Sequence, residues 1–349
     1  MFAELHYPSS LSPHELDTYL ANGWFRMGQT IFTTNFLRFG RNYYSAIWLR
    51  IDLQHHTPSK TQQKLFKVNS SFFVEIQHAK ITDKHEVLFE KYKSSMSFDT
   101  ASSLRFLLHH DGVNDVYDTF FINIYDGIKL IATGVFDMGK DTSAGISCFY
   151  DPDYKKNSLG KYLMYLKMEY SKKRGVKYFY TGYFAPGYPL FDYKLDLSRP
   201  NLEYLDVVTE KWMPFAEFSY NTIPLDIMCE KLKTLQEVLE KQQHKITFFH
   251  YPYFDTEMNN ELNGAGLLDY PAFLYCFEVD ESLNKLLIVY DIRDAQYHLL
   301  GCHALYKLVY EINDEDNYRS HLIEPLRVMY SCSTIAEMAV ELDSLMVKR

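Results

Sequence analysis

The sequence predicts an α+β fold, with a mixed, mostly antiparallel central sheet flanked by helices. Two observations predict it. From residue 66 to residue 183 the local signals run strand, helix, helix, three strands, helix, strand, and Asp126-Gly127 between two apolar runs is a strong hairpin signal. The 349 residues, 47% of them apolar, suffice for two or three domains with substantial cores. The expected division is a helix-plus-strands region over 1–60, a core over 61–224 and an acidic α+β unit over 225–349.

Each element has its own signal. Ser12-Pro13-His14-Glu15 is a capping box, Leu16 and Leu20 follow at helical spacing, and Gly23 ends the helix. Residues 24–39 and 43–53 are rich in aromatic and β-branched residues and read as strands. Residues 58–63 read as a polar break, and 66–76 as another strand. Thr82 is placed to cap a helix reaching Met96, and Asp99 to open a second one reaching His109. The Asp126-Gly127 hairpin joins strands over 119–125 and 129–137, and 144–150 follows as a third. Leu159, Leu163, Leu166 and Tyr170 mark one face of a helix that Gly175 ends, before a strand over 176–183. Further on, Asp226 is placed to cap a helix to about Gln243. Strands are expected over 273–279, 285–292 and 298–312, and Thr334 to Glu337 form the capping box of a last helix.

Charge is unevenly spread. Residues 225–349 carry 21 acidic and 11 basic residues, so the whole-chain charge of −9 leaves about +1 for residues 1–224, and the C-terminal third is unsuited to nucleic acid. Lys155, Lys156, Lys161, Lys167, Lys172, Lys173, Arg174 and Lys177 face only Glu169 in their stretch, which reads either as a phosphate-binding surface or as a solvated helix face. The five cysteines are scattered and never form a CxxC pair, and the paired histidines 55–56 and 109–110 point in different directions. Neither a disulfide frame nor a metal site is expected. No apolar run has the length of a membrane span, and the start Met1-Phe2-Ala3-Glu4 lacks the basic, apolar pattern of a secretory signal; the expected location is the cytoplasm.

The most informative run lies at 143–194: a strand, a short loop, a Ser158-Leu159-Gly160 turn opening a helix, a buried strand, and a Tyr-rich segment ending in Lys194. With it go Gly23-Trp24-Phe25-Arg26 and Gly28, Ser59 to Lys64 followed by Lys67-Val68-Asn69, and Leu88-Phe89-Glu90-Lys91-Tyr92. Lys129 to Ala132 with Asp137, Phe149 to Tyr154, Gly182-Tyr183, Tyr193-Lys194 and Trp212-Met213-Pro214 complete the set. In this order and spacing the stretch from about Leu11 to Phe215 resembles the arginyl-tRNA–protein transferases and their bacterial leucyl-transferring relatives. The resemblance implies a GNAT-like acyltransferase core and transfer of Arg or Leu from charged tRNA to proteins with acidic N-termini, with aminoacyl-tRNA as co-substrate. Family members carry an N-terminal cysteine cluster that binds a metal or iron–sulfur cofactor; residues 1–147 contain no cysteine, so no cofactor is expected here, and Tyr188 stands where relatives often have Cys.

The chemistry requires an ester carbonyl held in place, a neutral amine brought to it, and donors for the oxyanion, which backbone N–H groups at diverging parallel strands supply. A helix start at Ser158, Leu159 and Gly160, flanked by Lys155, Lys156 and Lys161, suits a phosphate. Tyr150 and Tyr183 are candidates to stack on the terminal adenine of tRNA. Asp137 is the candidate to position or deprotonate the amine, or else a turn cap before Gly139. Lys64, Lys67, Asn69, Tyr188 and Lys194 are candidates for substrate contact, the lysines by pairing with an acidic side chain. Two other readings stay open: an acetyl-coenzyme A N-acetyltransferase, disfavoured because the bulky Tyr162 stands at the last small position of the turn, and a non-catalytic binder of acidic N-termini or tRNA.

Overall fold

A computed structural model describes residues 1–96, 101–110, 115–278, 284–307 and 316–347. In chain order the elements are β1 (Ala3–His6), α1 (Pro13–Ala21), β2 (Phe25–Met27), β3 (Thr30–Thr34), β4 (Phe36–Phe39), β5 (Asn42–Ser45), β6 (Ile47–Asp52), α2 (Lys60–Val68), β7 (Phe73–His78), α3 (Asp83–Lys93) and α4 (Leu104–His109). Then follow β8 (Thr119–Asp126), β9 (Lys129–Met138), β10 (Thr142–Tyr150), α5 (Leu159–Lys173), β11 (Tyr178–Phe184), β12 (Leu202–Asp206), β13 (Lys211–Pro214) and α6 (Pro224–Lys241). The last are β14 (Thr247–His250), β15 (Ala272–Glu278), β16 (Asn284–Asp291), β17 (Gln296–Lys307), β18 (His321–Cys332) and α7 (Ile335–Val347).

An eight-stranded sheet in the order β13-β12-β6-β11-β10-β9-β8-β7 forms the centre. It is antiparallel except between β10 and β11, the mixed, mostly antiparallel sheet the sequence predicts. Helix α5 buries Leu159, Leu163, Met164 and Met168 with Ile122, Ala132 and Phe136 of the sheet, while α3 and α4 bury Leu88, Phe89, Leu104 and Leu108 with Phe121, Val135 and Phe149. The side chains of β8 and β9 thus alternate between two cores, as period-two geometry dictates. β6 comes from the N-terminal region yet lies inside this sheet, between β11 and β12. A separate five-stranded sheet, β14 to β18, packs with α6 and α7 around a core that also takes in Phe2 and Phe36.

Several element boundaries differ from expectation. The run 24–39 breaks into β2, β3 and β4; between β2 and β3, Gly28 takes a positive φ in the turn that reverses the chain. Residues 58–68, expected as a break leading into a strand, form α2: the Ser59 hydroxyl accepts the N–H of Gln62 as an N-cap, and the strand starts later, at Phe73. Helix α4 is opened by Ser103, whose hydroxyl accepts the Phe106 N–H; Asp99 lies outside the described residues. Helix α6 starts at Pro224 after Ile223 rather than on Asp226. β18 had no expected counterpart. The capping box at Ser12 is present, and at Thr334 the hydroxyl accepts the Glu337 N–H and donates to the Glu337 carboxylate.

Candidate active site at a strand fork

β10 and β11 pair only at Thr142–Tyr178, Ser143–Phe179 and Ala144–Tyr180, and then separate. Each strand carries a register shift at the point of parting, between Gly145 and Ser147 on β10 and between Tyr180 and Gly182 on β11. Bulges turn strands away from their partners and re-aim side chains. Between the separated strands lies a cavity of about 280 Å³, lined by Phe25, Arg26, Phe32, Gly145, Ile146, Ser147, Cys148, Met164, Thr181, Gly182, Tyr183, Phe191, Tyr193 and Lys194. The Thr181 hydroxyl is buried here without a hydrogen-bond partner, a polar group whose desolvation is left uncompensated.

Two lysines reach this fork from opposite sides. Lys194 is 8% exposed; its Nζ donates to the Tyr183 carbonyl at 2.5 Å and lies 4.8 Å from the centre of the Phe191 ring. Burial pushes it down to about 7 from the ordinary lysine range. Lys167 is fully buried, and its Nζ donates to the Ser147 carbonyl at 2.7 Å and to Cys148 Sγ at 3.2 Å; burial lowers its pKa also, against the opposing pull of Cys148. A Cβ on Gly134 would lie 2.9 Å from Lys167 Cε, so the glycine in β9 is what lets this side chain cross the sheet.

Arg26 closes one wall of the cavity. Its Nε donates to the Gly28 carbonyl (2.7 Å), Nη1 to Thr119 Oγ1 and Asp137 Oδ1 (2.8 Å each), and Nη2 to the Leu108 carbonyl (2.6 Å). Asp137 is fully buried in this network and also accepts the Thr119 hydroxyl at 2.7 Å. Its other oxygen, Oδ2, is buried without a hydrogen-bond partner, and burial pushes its pKa up against the pull of Arg26. Asp137 is not among the residues that line the cavity; it pairs with Arg26, which is.

The start of α5 follows the end of β10 through a 3-10 turn over Pro152–Asn157. Ser158 is in the left-handed region, with φ 49° and ψ 45°, and its side chain caps nothing, so the first N–H groups of the helix have no side-chain partner. Lys155 and Lys156 are exposed and Lys161 is half-buried. The Leu159 side chain is in the core, leaving only its backbone to a ligand; a Cβ on Gly160 would meet the Tyr150 ring at 3.4 Å. Tyr150 therefore covers the helix start and stands against Tyr92, whereas Tyr183 lines the cavity.

The basic cluster does not form one surface. Lys167 is internal, Lys172 donates to the His56 carbonyl, Lys173 pairs with Glu169 and Lys177 with Asp141. Helical spacing already sets Lys167 on the face of Leu163 and Tyr170, a signal for its burial. Tyr162 is 4% exposed and packs edge-on against Phe66 at 5.1 Å, so its bulk points into the core and does not obstruct the turn. Asn69 is buried; its Nδ2 donates to the Asn157 backbone carbonyl and its Oδ1 accepts from Asn157 Nδ2, at 3.1 Å each, which ties the end of α2 to the loop before α5. Lys64 and Lys67 stay exposed on α2. Tyr188 stacks on Phe39 at 4.5 Å and packs against Phe191 of the cavity wall.

An unanticipated clamp holds the loop that leads to α5. Both oxygens of the buried Asp151 carboxylate are engaged, Oδ1 by Lys91 at 2.5 Å and Oδ2 by Lys129 at 2.8 Å. Burial works to raise the Asp151 pKa, but the hydrogen bonds from Lys129 and Lys91 outweigh it and hold the group down at about 2. A folded pKa below the unfolded value near 3.9 adds stability that is complete above about pH 4 and lost as the pH falls toward 2. Asp151→Asn is expected to lower stability at pH 7 by about 1.5–3 kcal/mol, with the difference from wild type closing near pH 2 in thermal denaturation followed by circular dichroism.

Strand order, the single parallel pair among the described strands and the cavity at their fork are the arrangement expected from the sequence for a GNAT-like core. Residues 83–203 match the family described as Arginine-tRNA-protein transferase, C terminus. The chain is 28% identical over 197 residues to the aspartate/glutamate leucyltransferase of Leptospira interrogans serogroup Icterohaemorrhagiae serovar copenhageni, covering 54% of this chain and 74% of that protein. It is 26% identical over 243 residues to the protein of that name from Saccharophagus degradans, covering 62% and 96%. Among solved structures, L-PGS from Bacillus licheniformis aligns with a TM-score of 0.32 at 9% identity over 48% of this chain and 49% of that chain, and FemX with 0.32 at 9% over 50% and 61%. Over residues 83–203 the chain is thus similar to the C-terminal part of the arginine-tRNA-protein transferases, in line with the resemblance its sequence motifs carry.

Proposed function

We propose that the protein transfers leucine from leucyl-tRNA to the N-terminal amine of proteins that begin with Asp or Glu. The observation that carries this choice of donor is the lining of the fork cavity: rings of Phe25, Phe32 and Phe191, Ile146 and Met164, two basic side chains, and no carboxylate among the described residues. An isobutyl side chain finds apolar surface there. An arginyl guanidinium would be desolvated beside Arg26 with no acid to pair, because Asp137 is already taken. The names of the relatives from Leptospira interrogans and Saccharophagus degradans support the same donor and acceptors.

In this reading the aminoacyl ester lies in the fork, where backbone N–H groups freed by the parting of β10 and β11 are placed to receive the oxyanion. The 3′ end of the tRNA runs across Ser158, Leu159 and Gly160, with Lys155, Lys156 and Lys161 at its phosphates and Tyr150 and Tyr183 at its terminal base. Lys64 and Lys67, on the helix that Asn69 ties to this turn, meet the acidic side chain of the acceptor. The reaction belongs in the cytoplasm with its charged tRNA; among the described residues no helix is long and apolar enough to cross a membrane.

The test is to incubate the protein with tRNA charged with labelled leucine or arginine and with peptides beginning in Asp, Glu or Ala, and in parallel with acetyl-coenzyme A. Leucine transfer to the Asp and Glu peptides, about 100-fold above arginine, is the expected result. Arginine transfer at an equal rate would overturn the donor assignment. Acetylation alone, or binding without turnover, would overturn the reading as a whole.

A further inference from the structure

The reading above leaves one chemical task unassigned. When an amine adds to an ester, the attacking nitrogen carries a surplus proton and the departing 3′ oxygen lacks one, so a group that takes the first and returns the second lowers both barriers. Asp137, the obvious carboxylate, is sealed behind Arg26. Among the described residues that line the cavity, those able to carry a proton at a side chain are Arg26 from β2, Cys148 from β10, Tyr183 from β11, and Tyr193 and Lys194 from the turn after β11. Lys167 stands beside Cys148, and Asp192 and Asp196 flank Lys194 along its own turn, both of them exposed. Arg26 is always charged, and Lys167 spends its hydrogen bonds on the Ser147 carbonyl and on Cys148.

Lys194 is differently placed. Among the described residues it has no carboxylate partner, its one hydrogen-bond acceptor is the Tyr183 carbonyl, and its surroundings are Phe191, Tyr183 and the Cα of Gly182, at which a Cβ would be 3.4 Å from Nζ. A neutral amine in that position uses one N–H for the carbonyl and keeps its lone pair free. The Thr181 hydroxyl also lines this cavity and is buried without a partner, so the cavity that holds the amine has a polar group open to a ligand atom.

We propose that Lys194 is a catalytic residue of the transfer, its neutral Nζ carrying a proton from the attacking nitrogen to the leaving 3′ oxygen. The inference rests on the proposed transferase activity. The acceptor's free α-amine forms the new C–N bond; Lys194 removes one proton from that nitrogen; the ester C–O bond breaks and the 3′ oxygen takes the same proton, leaving amide, free 3′-hydroxyl and the neutral lysine. The desolvated position of Lys194 keeps the neutral amine accessible near neutral pH, as this step requires.

The experiment compares the full-length wild type with Lys194→Met and Lys194→Arg in single-turnover leucine transfer to an Asp-initiated peptide between pH 6 and pH 9, together with peptide KM. Lys194→Arg keeps a cation and removes the base, so it tests the proposal even if Lys194→Met fails to fold. Expected are a roughly 100- to 10,000-fold loss of rate in the folded variants, a KM within about threefold of wild type, and loss of the wild-type rise in rate around pH 7. Added primary amines are expected to restore Lys194→Ala in proportion to their basicity. Full activity of Lys194→Arg, or a loss confined to KM, would overturn the proposal while leaving the transferase reading intact. Absence of transfer by the wild type would overturn both.

Discussion

Asp137→Ala is expected to destabilise the protein by about 3–5 kcal/mol, because it leaves the Arg26 guanidinium buried without its counter-charge. The loss is expected in urea unfolding at pH 7, as a lower midpoint with unchanged slope. Arg26→Met should cost a comparable amount, since it strands the carboxylate. The double variant should recover part of the loss, as two residues in one network are not additive. A catalytic Asp137 predicts something else: a variant of native stability that has lost only its rate. Arg26 also lines the cavity, so folded Arg26→Met protein should bind the aminoacyl end less well.

The second large effect concerns the start of α5. With Lys155, Lys156 and Lys161 replaced together by Ala, the dependence of leucyl-tRNA affinity on salt should flatten. Each phosphate contact to a single strand contributes about 0.7 to the slope of log K against log salt. Three lost contacts reduce the slope by about 2, which is roughly a 100-fold weaker complex at 0.1 M salt. Filter binding from 0.05 to 0.5 M salt reads both quantities. Alanine at Lys173 and Lys177, which are paired with Glu169 and Asp141, is expected to leave the slope unchanged and serves as the control.

The fold was legible where local signals and tertiary context agree. The order from β7 to β11 followed from periodicity, from Asp126-Gly127 and from glycine stops, since these features act within a few residues. α2 was misread because its apolar residues Leu65, Phe66 and Val68 cluster as they would in a strand, and the Ser59 cap that decides the matter is a single hydroxyl. β18 went unseen because Pro325 and Arg327 interrupt its pattern, which an edge strand tolerates. The site was legible in part. Ser158-Leu159-Gly160, Tyr183 and Lys194 stood out, whereas Thr181 and the Lys91–Asp151–Lys129 clamp depend on distant stretches meeting in space. Asp137 and Asn69 looked functional because polar residues at strand and helix ends usually face solvent. Their partners, Arg26 and Asn157, lie 111 and 88 residues away in sequence.

The proposed seating of acyl transfer in the cavity between β10 and β11 is open to a direct test at Cys148. Cys148 is half-buried on its wall, while Cys276, Cys302 and Cys332 are buried and the Cys229 thiol is pushed up to about 12 by burial, so a thiol reagent has one favoured target inside the fork. Leucine transfer from leucyl-tRNA to an Asp-initiated peptide is measured before and after alkylation with N-ethylmaleimide, with mass spectrometry locating the adduct and Cys148→Ser as the resistant control. The expected result is a loss of at least about 100-fold in the alkylated wild type, since the acyl group can no longer be seated, and none in Cys148→Ser. Undiminished transfer by protein shown to carry the adduct on Cys148 would contradict the assignment of the reaction to this cavity.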